Sequence, residues 1–279
     1  MTRMIDAHQH FWQLANPFTD WPTPDLALIH RDFLPADLAP LLADAGVTGT
    51  VLVQAAPAVE ETRFILKLAE RAAHVKAVVG WIDFAATDAL DQLSALVRRP
   101  LLKGLRPMIQ GEPEPGWILQ SAFGPLLEAM AVAGLRFDAL VLQHQIDDIV
   151  ALAAQHPDLL IVLDHCGKPA IASGDSAAWR NSIARLAAQP NVYCKVSGLW
   201  TEAGDDWSAA TIAPYVEAVR AAFGTQRLMW GSDWPVLNLA GGYRDWLDQA
   251  LALFDDLDAG ERAAVFGGNA ARFYGFSYD

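Results

Sequence analysis

Only two cysteines, Cys166 and Cys194, occur in the 279 residues. They are too few and too far apart for a disulfide framework or a zinc-holding C-x-x-C pair. Two buried free thiols are expected, and these suit a reducing cytoplasm. Positive charge is also scarce: 20 Lys and Arg stand against 33 Asp and Glu, for a formal net charge of -13. A nucleic-acid groove or an anionic-membrane surface needs a positive footprint, so neither is an expected partner and a small molecule takes their place. No apolar run reaches the ~18 residues of a membrane span, and no basic segment followed by an apolar stretch opens the chain. A cytoplasmic protein is expected. Low-complexity linkers and charge blocks are missing too, so the expectation is one domain over residues 1–279.

What is present is core-forming material, with 53% hydrophobic residues and 10 Trp. Short apolar, β-branched runs alternate with Ala/Leu-rich runs of helical period. The strand candidates are "MIDAHQHF", "GTVLVQ", "AVVGWIDF", "LKGLRPMI", "LRFDALVL", "LLIVLDHC", "NVYCKVSGL" and "RLMWGSDW". Between them lie amphipathic segments such as "PADLAPLLADAG", "VEETRFILKLAERAA" and "IDDIVALAAQHP". Nearly continuous apolar strands suit a parallel sheet covered by helices. About eight βα units predict an α/β fold, a (β/α)8 TIM-like barrel, with an open Rossmann-like sheet as the alternative. The absence of G-x-G-x-x-G after the first strand weakens that alternative. Residues 16 to 35 break the rhythm, and are expected to be either a lid or pocket wall beside the first strand or an irregular surface loop.

Barrels do their chemistry at the carboxyl ends of the strands, so polar residues there are the candidates. His8 and His10 are two residues apart, and in a strand both would face one point. Gln54 ends the second strand, Trp81 and Asp83 the third, and Arg106 and Gln110 the fourth; His144 lies just past the fifth. Asp164 and His165 end the sixth, Lys195 and Ser197 the seventh, and Asp233 the eighth. Imidazole nitrogens suit borderline metals such as zinc, and a carboxylate completes the donor set. His8, His10 and Asp233 are therefore candidate ligands for one divalent ion. Such an ion lowers the pKa of bound water to about 7 and polarises a carbonyl, which points to hydrolysis. His30, His74 and His156 fall in loops or helix ends and are expected to be structural.

"IDAHQHFW", "LDHCGKP" and "GSDWPV" together resemble the amidohydrolase superfamily. "DFLPADLAPLLADAGVTGTVLVQAAP", "ETRFIL", "GLRPMIQGEP", "NVYCKVSGL" and "FGGNAARFY" are similar to its branch of sugar-lactone hydrolases, of the L-fuconolactonase and L-rhamnonolactonase type, to which pyrone-dicarboxylate lactonases are related. The likeness spans essentially the whole chain. It implies a distorted barrel with His8 and His10 as first-strand metal ligands and Asp233 as last-strand ligand or general base. His165 matches a sixth-strand histidine that binds a second metal, orients water or polarises the scissile group in different relatives. The superfamily's carboxylated bridging lysine has no match, since Arg106 ends the fourth strand, and His144 falls slightly past the place of a fifth-strand ligand; the resemblance implies either a single zinc-like ion, with Glu112 as a substitute ligand, or a lactonase of the kind that needs no metal.

The reaction expected from these features is water attack on the carbonyl of a cyclic ester, with Asp233 as general base and His165, Arg106 or the metal meeting the oxyanion. Arg106, Gln110, His144, Lys195 and Gln54 would bind hydroxyls or a carboxylate, Lys195 alternatively pairing with a carboxylate at the strand ends, and Trp81, Trp200 and Trp234 would offer faces to a sugar ring or fill the barrel. A pyrone dicarboxylate needs several cationic forks, and only Arg106, with Arg31 from the first loop, is at hand. An uncharged aldonolactone fits better. A dicarboxylate-lactone hydrolase, a metal-dependent decarboxylase and a non-catalytic sugar-acid binder are the alternatives.

Overall fold

A computed structural model describes residues 3–174 and 176–277. Eight strands run in the order of the sequence: β1 (Met4–Gln9), β2 (Val47–Val53), β3 (Val75–Gly80), β4 (Leu102–Leu105), β5 (Arg136–Ala139), β6 (Ile161–Leu163), β7 (Val192–Val196) and β8 (Leu228–Trp230). Every neighbouring pair is parallel, and the strands lie in the sheet in their sequence order, β1 through β8. The covering helices include α1 (Pro35–Ala45), α2 (Val59–Ala69), α3 (Ala89–Leu96), α4 (Gly124–Val132), α5 (Ile146–Gln155) and α6 (Ala177–Ala187). A short α7 (Leu199–Glu202) then precedes α8 (Ala209–Phe223) and α9 (Tyr243–Leu253). This is a (β/α)8 barrel. Among the described residues, no helix is long and apolar enough to cross a membrane.

The barrel closes through its loops. Gln9 bridges Trp234 in parallel fashion; the His10 amide donates to the Trp234 carbonyl at 2.7 Å, and the Asp233 amide to the His8 carbonyl at 2.8 Å. Asp6 clasps the same seam. Its carboxylate accepts from the amides of Ser232 (2.8 Å) and His8 (3.1 Å), the Ser232 hydroxyl (2.6 Å) and the Tyr243 phenol (3.0 Å).

Two apolar layers follow from strands buried on both faces. The outer one lies between sheet and helices. The inner one fills the barrel with Ile5, Val51, Val53, Ala77, Val79, Val162 and Met229. It is plugged from below by Ala270, Phe273 and Tyr274 of the last described helix, α11 (Asn269–Tyr274), which follows a short α10 (Ala259–Ala263).

All eight expected strands are present, but most stop short of the apolar runs that marked them. Ile82 and Phe84 are buried without pairing in the sheet, as is Val141 after β5. Apolar character reports burial, and loops folded over a barrel mouth are buried too. His8 therefore stands on β1 while His10 lies one residue past its end, and Arg106, His165 and Asp233 also sit beyond their strands. The closing helices α9, α10 and α11 had no counterpart among the expected segments.

Candidate active site

At the carboxyl end of the barrel a cavity of about 390 Å³ is lined by His10, Thr19, Trp21, Ala55, Pro57, Arg106, Met108, Gln110, Leu140, His165, Lys168, Asp233 and Val236. Thr19 and Trp21 come from the irregular loop at residues 16 to 35, which is thus a wall of the pocket. Trp12 pins that loop: its amide and carbonyl exchange hydrogen bonds with Phe33 at 3.0 Å, and its indole donates to the Arg31 carbonyl at 2.8 Å. The opposite wall is held by Glu61 of α2, whose carboxylate accepts from the amides of Ala55 (2.9 Å) and Ala56 (2.6 Å).

The floor is the seam between β1 and β8. Because β1 is extended, His8 and His10 face the same way, and their Nε2 atoms are 3.2 Å apart. Asp233 Oδ1 lies 3.2 Å from His10 Nε2 and 3.7 Å from His8 Nε2. Asp233 holds a left-handed conformation, φ 60°, which Asp tolerates better than most residues. His165 approaches from the far side, its Nε2 3.9 Å from Asp233 Oδ1.

His165 opens a left-handed turn. Its φ is 52°, followed by 53° at Cys166, 70° at Gly167 and 49° at Lys168. Three of these residues carry a Cβ, at roughly 1 kcal/mol or more each, and strain of this kind concentrates at functional sites. The turn is held by neighbours: His165 Nδ1 bonds Ser197 Oγ at 2.9 Å, Cys166 is buried, and the Trp179 indole donates to the Cys166 carbonyl at 2.8 Å. Gly198 is required beside it, since a Cβ there would meet His165 Nδ1 at 2.6 Å.

Beneath the floor lies a fully buried charged network. Lys195 Nζ stands 2.5 Å from Asp138 Oδ2, 3.0 Å from Asp164 Oδ1 and 3.2 Å from His8 Nδ1. The Tyr274 phenol donates to Asp138 at 2.6 Å. Arg106 donates through Nη1 to Asp164 Oδ2 at 3.4 Å, with His8 Nε2 also at 3.4 Å, and through Nη2 to the Gln54 carbonyl.

Electrostatics follow from this packing. Burial favours the uncharged imidazoles, so His8 falls well below its usual pKa with Lys195 adding to the effect, and His165 falls to about 4. Both are neutral at pH 7. Burial alone would push Asp233 up, but in the acid range where it titrates the protonated rings of His165 and His8, with the hydrogen bond from His10, outweigh it and hold the carboxyl below its ordinary range, so that it is ionised at pH 7. Asp164 likewise stays ionised: Lys195, His8 and Arg106 overcome its burial. The result is an anionic carboxylate set among imidazoles, able to take a proton from water or to ligate a cation.

The donors fit a metal. Four ligands around zinc at 2.0–2.1 Å lie roughly 3.4 Å from one another, close to the 3.2, 3.2 and 3.7 Å edges of the His8, His10 and Asp233 triangle. Ligand atoms of His8, His165 and Asp233 also lie within 4.8 Å of one another.

Not every expected residue reaches this pocket. His144 is carried away by the turn Gln143–Gln145 after β5 and lines a separate surface cleft with Asp147 and Arg185. Trp200 and Trp234 are buried in the packing layer, Trp200 against Trp246 and Trp234 against Phe11 and Phe33. Gln54 is buried with its amide nitrogen donating to the Arg106 carbonyl at 3.0 Å, so it supports Arg106 from behind. Lys195 is below the floor. Trp81 and Glu112 line an adjoining cavity of about 300 Å³, which shares Gln110 with the main pocket. Arg31 pairs with Asp37 at 3.1 Å, away from the lining.

Sequence reasoning passed over Asp6, Asp138, Tyr274, Lys168 and Glu202. A lone carboxylate inside the apolar runs "MIDAHQHF" and "LRFDALVL" was the signal available for the first two.

Comparison with known proteins agrees with this geometry. A family model described as amidohydrolase matches residues 5–276. An L-fucono-1,5-lactonase of Burkholderia ambifaria is 49% identical over 98% of this chain and 96% of its own, and one of Burkholderia multivorans is 37% identical over 97% and 95%. An amidohydrolase from Burkholderia multivorans, solved with bound Zn, superposes with a TM-score of 0.93 at 37% identity, covering 99% of this chain and 100% of that one. This chain belongs to the amidohydrolase family.

Proposed function

We propose that the protein hydrolyses a sugar-derived lactone, an uncharged aldonolactone of the L-fucono- or L-rhamnono-lactone type, in the cytoplasm. The observation that carries the reading is the Asp233 carboxylate, held anionic among His8, His10 and His165 on the floor of a cavity at the carboxyl end of the barrel. Its close relatives are lactonases of L-fucono-1,5-lactone.

Asp233 takes a proton from a water in the pocket as the water oxygen attacks the lactone carbonyl. Charge that develops on the carbonyl oxygen faces the wall of His165 and Arg106. Collapse breaks the bond to the ring oxygen, and Asp233 passes its proton to that oxygen, leaving a hydroxyl and a carboxylic acid, which releases its own proton to solvent and becomes the carboxylate. Its depressed pKa keeps Asp233 ionised, and so able to accept the proton, throughout the neutral range. Gln110 is placed to bind a ring hydroxyl, and Trp21 offers an apolar face. His8, His10 and Asp233, with His165, would hold a divalent ion, zinc by its donor set. When bound, such an ion acidifies water and polarises the carbonyl.

The test is proton release on a stereochemically complete panel of aldonolactones, with Asp233→Asn as control. Turnover by the wild type and a loss of roughly 10²–10⁴-fold in the variant are expected. A variant near the wild-type rate removes Asp233 from the mechanism. Carbon dioxide evolution, or binding without turnover, would sink the lactonase reading.

A further inference from the structure

We propose that Lys168 is a further catalytic residue of this reaction: its ammonium donates a hydrogen bond to the lactone carbonyl oxygen as negative charge builds there, and stays with the same oxygen in the product carboxylate. The inference rests on the lactonase reading and adds a group that the site's other residues do not replace.

Hydrolysis of a neutral lactone puts negative charge on the carbonyl oxygen in the tetrahedral intermediate, and ionisation of the product acid returns charge to the same oxygen as a carboxylate. Of the described residues lining the pocket, Arg106 and Lys168 carry full positive charge. Arg106 lends the pocket wall its field, but both its terminal nitrogens are already engaged: one donates to the Gln54 carbonyl and the other faces Asp164, a buried carboxylate that answers its charge. His165 is held by Ser197 through its Nδ1.

Lys168 is held differently. Its ammonium faces Glu202 of α7 at 3.5 Å, and its side chain is 24% exposed. That pair is loose and reachable by solvent, so the flexible stem can leave Glu202 and meet a new oxygen without stranding a buried charge. The backbone explains its aim. Lys168 ends the left-handed turn begun by His165, its amide donating to the His165 carbonyl at 2.9 Å, and both side chains line the same cavity. A turn that holds two consecutive non-glycine residues and a third after Gly167 in the left-handed region is accounted for if it must present both His165 and Lys168 to the substrate. No bond to Lys168 is made or broken; the ammonium keeps its protons and supplies charge to an oxygen.

Three variants separate catalysis from structure. Lys168→Met should lower kcat about 100-fold with KM within about threefold, and Lys168→Arg should recover part of the loss. Glu202→Gln breaks the same ion pair but leaves the ammonium, so its kcat should stay within about threefold of wild type. If the pair matters only for architecture, Met and Gln fall together, and the proposal is overturned; it is overturned equally if Lys168→Met retains kcat. Calorimetric binding of the aldonate product needs no turnover: Lys168→Met should weaken it about tenfold, and unchanged binding refutes the proposal. Wild-type turnover on the lactone panel reports separately on the lactonase reading itself.

Discussion

Asp6→Asn should make the protein more stable relative to wild type as pH rises. The Asp6 carboxylate is fully buried, and although four donors converge on it, desolvation wins and raises its pKa from 3.8 to about 6. In the unfolded chain the group titrates near its ordinary value. Between those limits the folded state binds more protons than the unfolded one, so stability falls with increasing pH. Below pH ~4 Asp6 is protonated in both states and costs nothing extra; above pH ~6 the fold buries a carboxylate. The shift of roughly two units on a fully buried group is worth about 3 kcal/mol at 1.36 kcal/mol per unit.

Asparagine keeps an oxygen for the amides of His8 and Ser232 and turns its amide nitrogen toward the Ser232 and Tyr243 hydroxyls, which rotate to accept. It cannot ionise. Urea unfolding of both proteins from pH 4 to 8 in matched buffers cancels every other titration. The variant should gain about 3 kcal/mol on the wild type between pH 4 and 7, with kcat little altered because the seam keeps its four hydrogen bonds. Parallel curves across that range would refute the reasoning, since they would mean that the four donors fully offset burial.

Ser197→Ala removes the partner of His165 Nδ1; kcat should fall about 10-fold with KM and melting temperature nearly unchanged, and an unchanged kcat would show that Ser197 does not orient the ring. Lys195→Met takes the cation from between Asp138 and Asp164. Two buried carboxylates left without it should cost about 3–5 kcal/mol, a drop of about 10 °C in a thermal melt, and a drop below about 2 °C would contradict the buried network.

The eight strands were legible because parallel strands covered on both faces leave continuous β-branched runs, and the order of the runs is the order in the barrel. Their ends were not, because Ile82, Phe84 and Val141 are buried in loops and look like strand from composition alone. The pair His8 and His10 was legible through its spacing of two, and Asp233 through its place on the last strand. His144 shows where such reasoning stops. It follows an apolar run as the others do, but the turn at Gln143–Gln145 swings it outward. The left-handed turn at His165 to Lys168 contains a single glycine, so nothing in "DHCGK" marks its backbone, and without that turn Lys168 has no evident direction. Asp138 and Tyr274 are linked by a hydrogen bond across 136 positions, which no local pattern encodes.

That last bond ties the final helix into the reaction centre. Tyr274 holds Asp138, Asp138 holds Lys195, and Lys195 touches the ring of His8, while the Asp6 carboxylate waits for an amide 226 positions downstream. A nascent chain emerging from the ribosome therefore carries His8 and His10 long before His165 is added, and has no assembled site until β8 and α11 have been made. Contacts this distant form late and slowly. Partly synthesised or carboxyl-terminally clipped chains should be catalytically silent even where most strands have paired, so activity measures completion of the whole barrel rather than the presence of its parts.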